Sequence, residues 1–270
     1  MSNSNTRDIA IVIHGAFQSN KNVEGAALVL RDLGVKIVHT PDLAGHGAER
    51  DVEISGKHLT ERLAENLLSR REIKHALDAD TIGKVTLIGH SLGASVAIAA
   101  AKQLIIKAES LNLILVEPIF WLGKKCVGQD DLLKNLETHI PRGKTQVEIT
   151  NYLRSLLTGE TGHDCEISTL SNLATSDRCS ISLVRGGRTT VRSKGGFKID
   201  TSEGVIDVGH EGQEIGSLVP NDYCNRNLFD SQISIKEAGH NPFAHSSFYK
   251  WLRLLLNQDE SLDEDHLLCE

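Results

Sequence analysis

The sequence predicts an α/β fold, a mostly parallel sheet of about six strands with helices on its faces. Three observations predict it. Short apolar, β-rich runs alternate with helix-patterned segments along the chain, the order that parallel crossovers require. A Gly-His-Ser-Leu-Gly turn (89–93) lies directly between a strand-like and a helix-like segment. The length of 270 residues, 40% hydrophobic and 24% charged, suits one large globular domain with a substantial core.

The elements follow in order. The first run, 9–13, ends at His14-Gly15; a helical stretch over 22–33 passes through Gly34, a C-cap residue, into a second run at 35–39. Residues 57–77 carry leucines at helical spacing with charges between them, which predicts one or two helices. A strand at 85–88 leads into a small-residue helix over 92–107. Three more strands are expected at 111–116, 180–184 and 233–235, and an amphipathic helix from 246 to about 256.

Two stretches break this rhythm. Residues 120–178 hold helical patterns (130–136, 150–157) and no strong strand, so they are read as a helical cap inserted between core segments 1–119 and 179–257. Residues 188–230 are rich in Gly, Ser and charge, a long loop insertion within the core in which 205–208 and 215–219 are expected to pair as a hairpin. Residues 258–270 form an acidic tail.

Composition excludes several classes. A net charge of −7 argues against nucleic acid and against an anionic membrane surface. Residues 1–8 are polar and lack the apolar core of a signal peptide, and the apolar stretch 94–101 is too short to span a bilayer. The five cysteines are odd in number, widely spaced and without a C-x-x-C pair, which suits free thiols in a reducing cytoplasm. None has a His or Cys partner at ligand spacing, so no metal and no cofactor is expected.

The chemistry concentrates at three places. A strand-to-helix turn that exposes the Ser91 hydroxyl needs small residues on both sides, here Gly89 and Gly93, and it aims the Leu92 N–H from a helix N-terminus at developing negative charge. His14-Gly15-Ala16-Phe17 follows the first strand, where the Ala16 N–H can join that of Leu92 in an oxyanion hole and Phe17 can form pocket wall. Glu237-Ala238-Gly239-His240 follows the last strand, which puts a histidine within reach of Ser91 as general base. His90, Phe120 and Trp121 complete the substrate-binding candidates; the aromatic pair serves equally as an acyl-binding wall or as cap packing.

The motifs His14-Gly15, Pro41-Asp42-Leu43-Ala44-Gly45-His46-Gly47, Gly89-His90-Ser91-Leu92-Gly93 and Gly239-His240 occur in the order of the α/β-hydrolase superfamily, which the chain resembles over nearly its whole length. Val116-Glu117-Pro118-Ile119-Phe120 and Arg185-Gly186-Gly187-Arg188-Thr189 resemble strand ends of small bacterial esterase-like members. The resemblance implies the fold with the two leading strands absent, a structural role for the Asp42–His46 loop, and serine chemistry. A small or medium ester, lactone or thioester is then the expected substrate. Carrier-bound acyl-thioester hydrolysis, hydroxynitrile-lyase-like chemistry and non-catalytic ligand reception are the alternatives on the same scaffold.

The family's usual acid position, after the fifth strand, offers only Arg188, Thr189 and Thr190. Glu117, at the end of the strand beside the nucleophile strand, is therefore the preferred triad acid, as in some thioesterases. Asp230 is the second choice, with Asp200, Asp207 and Asp222 also open.

Overall fold

A computed structural model of the chain describes residues 7–56, 58–78, 82–119, 128–160, 164–187, 191–193, 197–201, 204–208, 212–219 and 228–257. Its centre is a six-stranded sheet built from β1 (Arg7–Ile13), β2 (Ile37–His39), β3 (Ile82–His90), β4 (Ala108–Val116), β5 (Cys179–Gly186) and a last strand, Ser231–Ile235. Every neighbouring pair is parallel, in the order last strand, β5, β4, β3, β1, β2. The expected α/β-hydrolase type of sheet is what forms, with apolar runs such as residues 9–13 and 113–116 where both faces are covered.

Alternate residues of each strand serve opposite faces. Ile9, Ile11, Ile13, Leu87, Leu113, Leu115 and Leu183 point into one buried cluster, while Ala10, Val12, Ile88, Ile114, Val116 and Val184 point into the other. The second face is covered by α1 (Glu24–Asp32) and by the C-terminal helix Ser246–Leu256, whose Phe248, Trp251 and Leu252 pack against Ala26, Ala27 and Leu30 in that cluster. On the first face lie α2 (Leu59–Ser69), α3 (Arg71–Leu77) and α4 (Leu92–Leu104). The run Ala97, Ala99, Ala100 and Ala101 lets α4 sit close to β3 and β4 while α2 and a later helix pack on its outer side.

Among the described residues, three helices lie in the stretch read as a cap. α5 (Gln129–Thr138) and α6 (Lys144–Thr158) pack on each other, and α6 also touches α2. α7 (Asp164–Ala174), which the sequence pattern did not single out, packs on α4 and β5 in the helical layer of the sheet. Phe120 and Trp121 lie outside the described residues.

Within the insertion, β6 (Val191–Ser193) pairs antiparallel with β9 (Gly212–Glu214) around a hairpin of β7 (Phe197–Thr201) and β8 (Gly204–Val208). The last strand of the sheet is thus β10 and the C-terminal helix α8. Residues 205–208 therefore pair with β7 and not, as expected, with 215–219. The reason is tertiary: 215–219 spends backbone polar groups elsewhere, the Leu218 N–H on Glu117 and the Ile215 carbonyl on the N–H of His240. Among the described residues no helix is long and apolar enough to cross a membrane.

Candidate active site

The register of the sheet brings the C-terminal ends of four strands to one edge, pairing Ile13 with Gly89, His90 with Val116, and Val116 with Val184. Ser91 leaves β3 there with φ 54° and ψ −119°, a conformation side chains seldom adopt, and is the N-cap of α4. The Val116 carbonyl holds its N–H at 2.9 Å. A Cβ on Gly93 would stand 2.4 Å from the His14 carbonyl oxygen, so only glycine lets the first turn of α4 press against the end of β1.

Two backbone N–H groups flank this contact in sequence, those of Leu92 and Ala16. Leu92 opens α4, where the helix supplies no acceptor for its N–H. In the loop after β1, the Gly15 N–H donates to Gln18 Oε1 at 2.9 Å and the Phe17 N–H to His46 Nε2 at 2.9 Å. Among the described residues the Ala16 N–H between them meets no acceptor.

The loop carrying Asp42 and His46 braces this turn. The Asp42 carboxylate accepts the Asn20 and Ala48 N–H groups at 2.7 and 2.8 Å, and His46 Nδ1 lies 3.0 Å from the Ala44 carbonyl. His14 Nε2 accepts the Leu43 N–H at 2.9 Å, so the nitrogen nearest Asp42, 3.8 Å from its carboxylate, carries no proton and the pair is not an ion pair. Burial lowers the pKa of His14 to about 4, with His46 adding to the effect. His46 is lowered by burial too.

His240 stands between two partners. Its Nε2 is 2.9 Å from Ser91 Oγ and its Nδ1 is 3.1 Å from Glu117 Oε2. Glu117 is fully buried, with φ 47°. Its Oε1 accepts the Gly186 N–H at 2.5 Å and the Ser217 hydroxyl at 2.6 Å, while Oε2 also accepts the Leu218 N–H at 2.8 Å. Four donors thus match the acceptor capacity of one carboxylate. Gly186 at the end of β5 touches Gly239 so closely that a Cβ there would overlap the Gly239 carbonyl, which packs the His240 loop against the strand beside Glu117.

The other sequence candidates fall elsewhere. His90, expected to line the pocket, is instead buried at 1% exposure, with Nε2 2.6 Å from the His240 carbonyl and Nδ1 2.9 Å from Gln18 Oε1. It ties the elbow to the His240 loop from below, and burial, then the neighbouring His240, lowers its pKa to about 3. Asp230 precedes β10 at the opposite, N-terminal end of the strands, where its carboxylate accepts the Ile181 N–H at 2.7 Å. Asp200 and Asp207 belong to β7 and β8, and Asp222 lies outside the described residues. Phe17, at φ 60°, stacks on His139 with ring centroids 3.8 Å apart and lines a cavity of about 520 Å³ with His46, Arg142 and Gln146. Sequence reasoning missed Ser217 and Leu218, since a lone loop serine carries no local pattern.

A parallel sheet whose strand-to-helix elbow presents a serine to a histidine following the last strand defines the α/β-hydrolase class. The chain belongs to the alpha/beta hydrolase family, whose model matches residues 10–161. Among solved structures, a hydrolase from Oleispira antarctica is similar at 14% identity with a TM-score of 0.54, over 94% of this chain and 92% of that one. A lipase-esterase related protein from Clostridium acetobutylicum is similar at 13% identity with a TM-score of 0.51, over 95% and 96% of the two chains. Among curated proteins none matches the chain. The family assignment supports a hydrolase.

Proposed function

We propose that the protein is a serine hydrolase that cleaves a small or medium carboxylic ester, lactone or thioester. The observation that carries the proposal is the continuous chain Ser91–His240–Glu117, at 2.9 and 3.1 Å. His240 Nε2 takes the Ser91 proton as Oγ attacks the acyl carbon, and the resulting oxyanion lies against the Ala16 and Leu92 amides. His240 then gives that proton to the leaving oxygen or sulfur, which departs and leaves an acyl ester on Ser91. A water deprotonated by His240 attacks the ester, and collapse returns the proton to Ser91 and releases the carboxylic acid. Glu117 fixes the imidazole so that Nδ1 carries hydrogen and Nε2 is the base, and its negative charge stabilises the imidazolium.

Nothing in this scheme calls on a metal or cofactor. The thiols of Cys165 and Cys179 are unpaired, which supports a reducing, cytoplasmic setting. The position of Glu117, after β4, also favours a second reading, hydrolysis of carrier-bound acyl-thioesters. The test is a turnover panel of p-nitrophenyl esters, lactones, acyl-CoA and acyl-carrier-protein thioesters with wild type and Ser91→Ala. Turnover of free esters or lactones that disappears in Ser91→Ala is the expected result, turnover of carrier thioesters alone selects the second reading, and equal turnover by the variant overturns both.

A further inference from the structure

The long insertion after β5 contains a segment, 215–219, that reaches back to the buried acid. Several of its backbone groups are committed, the Gly216 N–H to Asp131 Oδ2 at 3.3 Å among them. The Leu218 N–H donates to Glu117 Oε2 at 2.8 Å, the Ile215 carbonyl accepts the His240 N–H at 2.8 Å, and the Ser217 carbonyl accepts the Gly128 N–H at 2.7 Å, just before α5. One side chain is committed as well. Ser217 Oγ lies 2.6 Å from Glu117 Oε1 and 3.3 Å from the Val219 carbonyl, and it accepts the Val219 N–H at 3.2 Å. A hydroxyl has one proton to give, and the shorter contact to a charged acceptor takes it. Ser217 is 1% exposed and Glu117 fully buried, so water cannot replace that donor.

We infer that Ser217 is a positioning residue for the reaction, holding the Glu117 carboxylate in the rotation that presents Oε2 to His240 Nδ1. The geometry requires such a device. Glu117 is one methylene longer than the aspartate usual in this role, so its carboxylate has an additional torsion to fix. The Gly186 N–H and Ser217 hydroxyl converge on Oε1, which leaves Oε2 for His240 and Leu218. Without the hydroxyl, Oε1 keeps only the Gly186 N–H, and the carboxylate is held less firmly about its terminal torsion. The insertion thereby acquires a task in catalysis: it supplies two of the four donors that orient the acid, one from a side chain and one from the backbone.

The inference rests on the roles proposed above for Ser91, His240 and Glu117. Its test is the hydrolysis of p-nitrophenyl butyrate by Ser217→Ala and Ser217→Thr, each alone and with Glu117→Gln, with melting temperatures alongside. The expected result is that Ser217→Ala lowers kcat by about 10- to 100-fold, the scale of one charge-assisted hydrogen bond, with KM unchanged. Ser217→Thr, which keeps the hydroxyl, restores most of kcat. In the Glu117→Gln background Ser217→Ala costs about twofold or less, because the carboxylate it orients is gone. If the alanine variant does not fold, Ser217→Cys, similar in size and a weak donor, takes its place with the same expectation. Wild-type kcat in Ser217→Ala, or the same fold-loss in both backgrounds, overturns the inference while leaving the site intact. Turnover that survives in Ser91→Ala overturns the reading of the site beneath it.

Discussion

Two residues at the end of neighbouring strands hold backbone conformations that L side chains seldom adopt, Ser91 at φ 54° and Glu117 at φ 47°. Each such outlier costs about 1–3 kcal/mol and persists only where the surroundings over-determine it. Here they do: Ser91 is clamped between Val116 and the first turn of α4, and Glu117 by its four donors and by its own N–H bond to the Val184 carbonyl at 2.8 Å. Replacing Glu117 by Gln keeps the shape but removes the charge that, in the proposed mechanism, stabilises the imidazolium and sets its tautomer. Its kcat should fall by about 10⁴-fold, as when a buried triad carboxylate becomes an amide, and the melting temperature should fall as well, because the amide NH2 takes the place of an oxygen that accepts two of the four buried donors. Asp230→Asn should leave kcat near wild type, because Asp230 holds the Ile181 N–H at the far end of the strands. Steady-state kinetics of the two variants check this pair, and the reverse pattern would transfer the acid role away from Glu117. Ser91 and His240 were legible in the sequence because glycines and strand ends mark their turns. Glu117 was legible because its strand had to end beside the nucleophile strand. Ser217 was not, because it meets Glu117 across 100 residues and leaves no local trace. His90 was misplaced for a related reason: the sequence puts it at the strand end, but only the fold shows its ring turned beneath the His240 loop.

At the scale of elements, the strands were the clearest part of the sequence. A strand buried on both faces is apolar over most of its length, and the runs 9–13 in β1 and 113–116 in β4 stand out for that reason. The small-residue helix α4 was equally plain, although it ends at Leu104 and not at 107 as the pattern suggested. α7 escaped notice because its polar positions, Ser168, Ser171 and Asn172, interrupt the apolar period that its buried Leu170 and Leu173 follow. The failed pairing of 205–208 with 215–219 has a different cause. β-propensity favoured a strand at 215–219, but two donors and two carbonyls of that segment find better partners at Glu117, His240 and Gly128. Tertiary hydrogen bonds override local propensity where a buried charge must be satisfied.

On the scale of the whole molecule, the site lies where parallel strands and helix N-termini of this fold converge, so its geometry depends on the integrity of the sheet. That integrity should depend on pH through two buried histidines. His14 and His90 have folded-state pKa values of about 4 and about 3, both lowered mainly by burial from an ordinary 6.5. Below pH 6.5 the unfolded chain binds protons at these positions that the folded chain refuses, so stability falls as pH falls, until each folded pKa is passed. The slope contributed by each histidine approaches about 1.4 kcal/mol per pH unit. Urea midpoints measured at pH 7, 6 and 5 should therefore decline in that order, and a flat series would contradict the neutral burial of both rings. In the proposed mechanism activity turns first on one oxygen, Ser91 Oγ. The most direct measurement is rapid quenching of the protein with p-nitrophenyl butyrate, followed by mass spectrometry of its peptides. The expected result is a butyryl group on the peptide containing Ser91 that accumulates in a burst with nitrophenolate and is absent in Ser91→Ala; turnover without an adduct on that peptide, or undiminished turnover in Ser91→Ala, would contradict a Ser91 nucleophile.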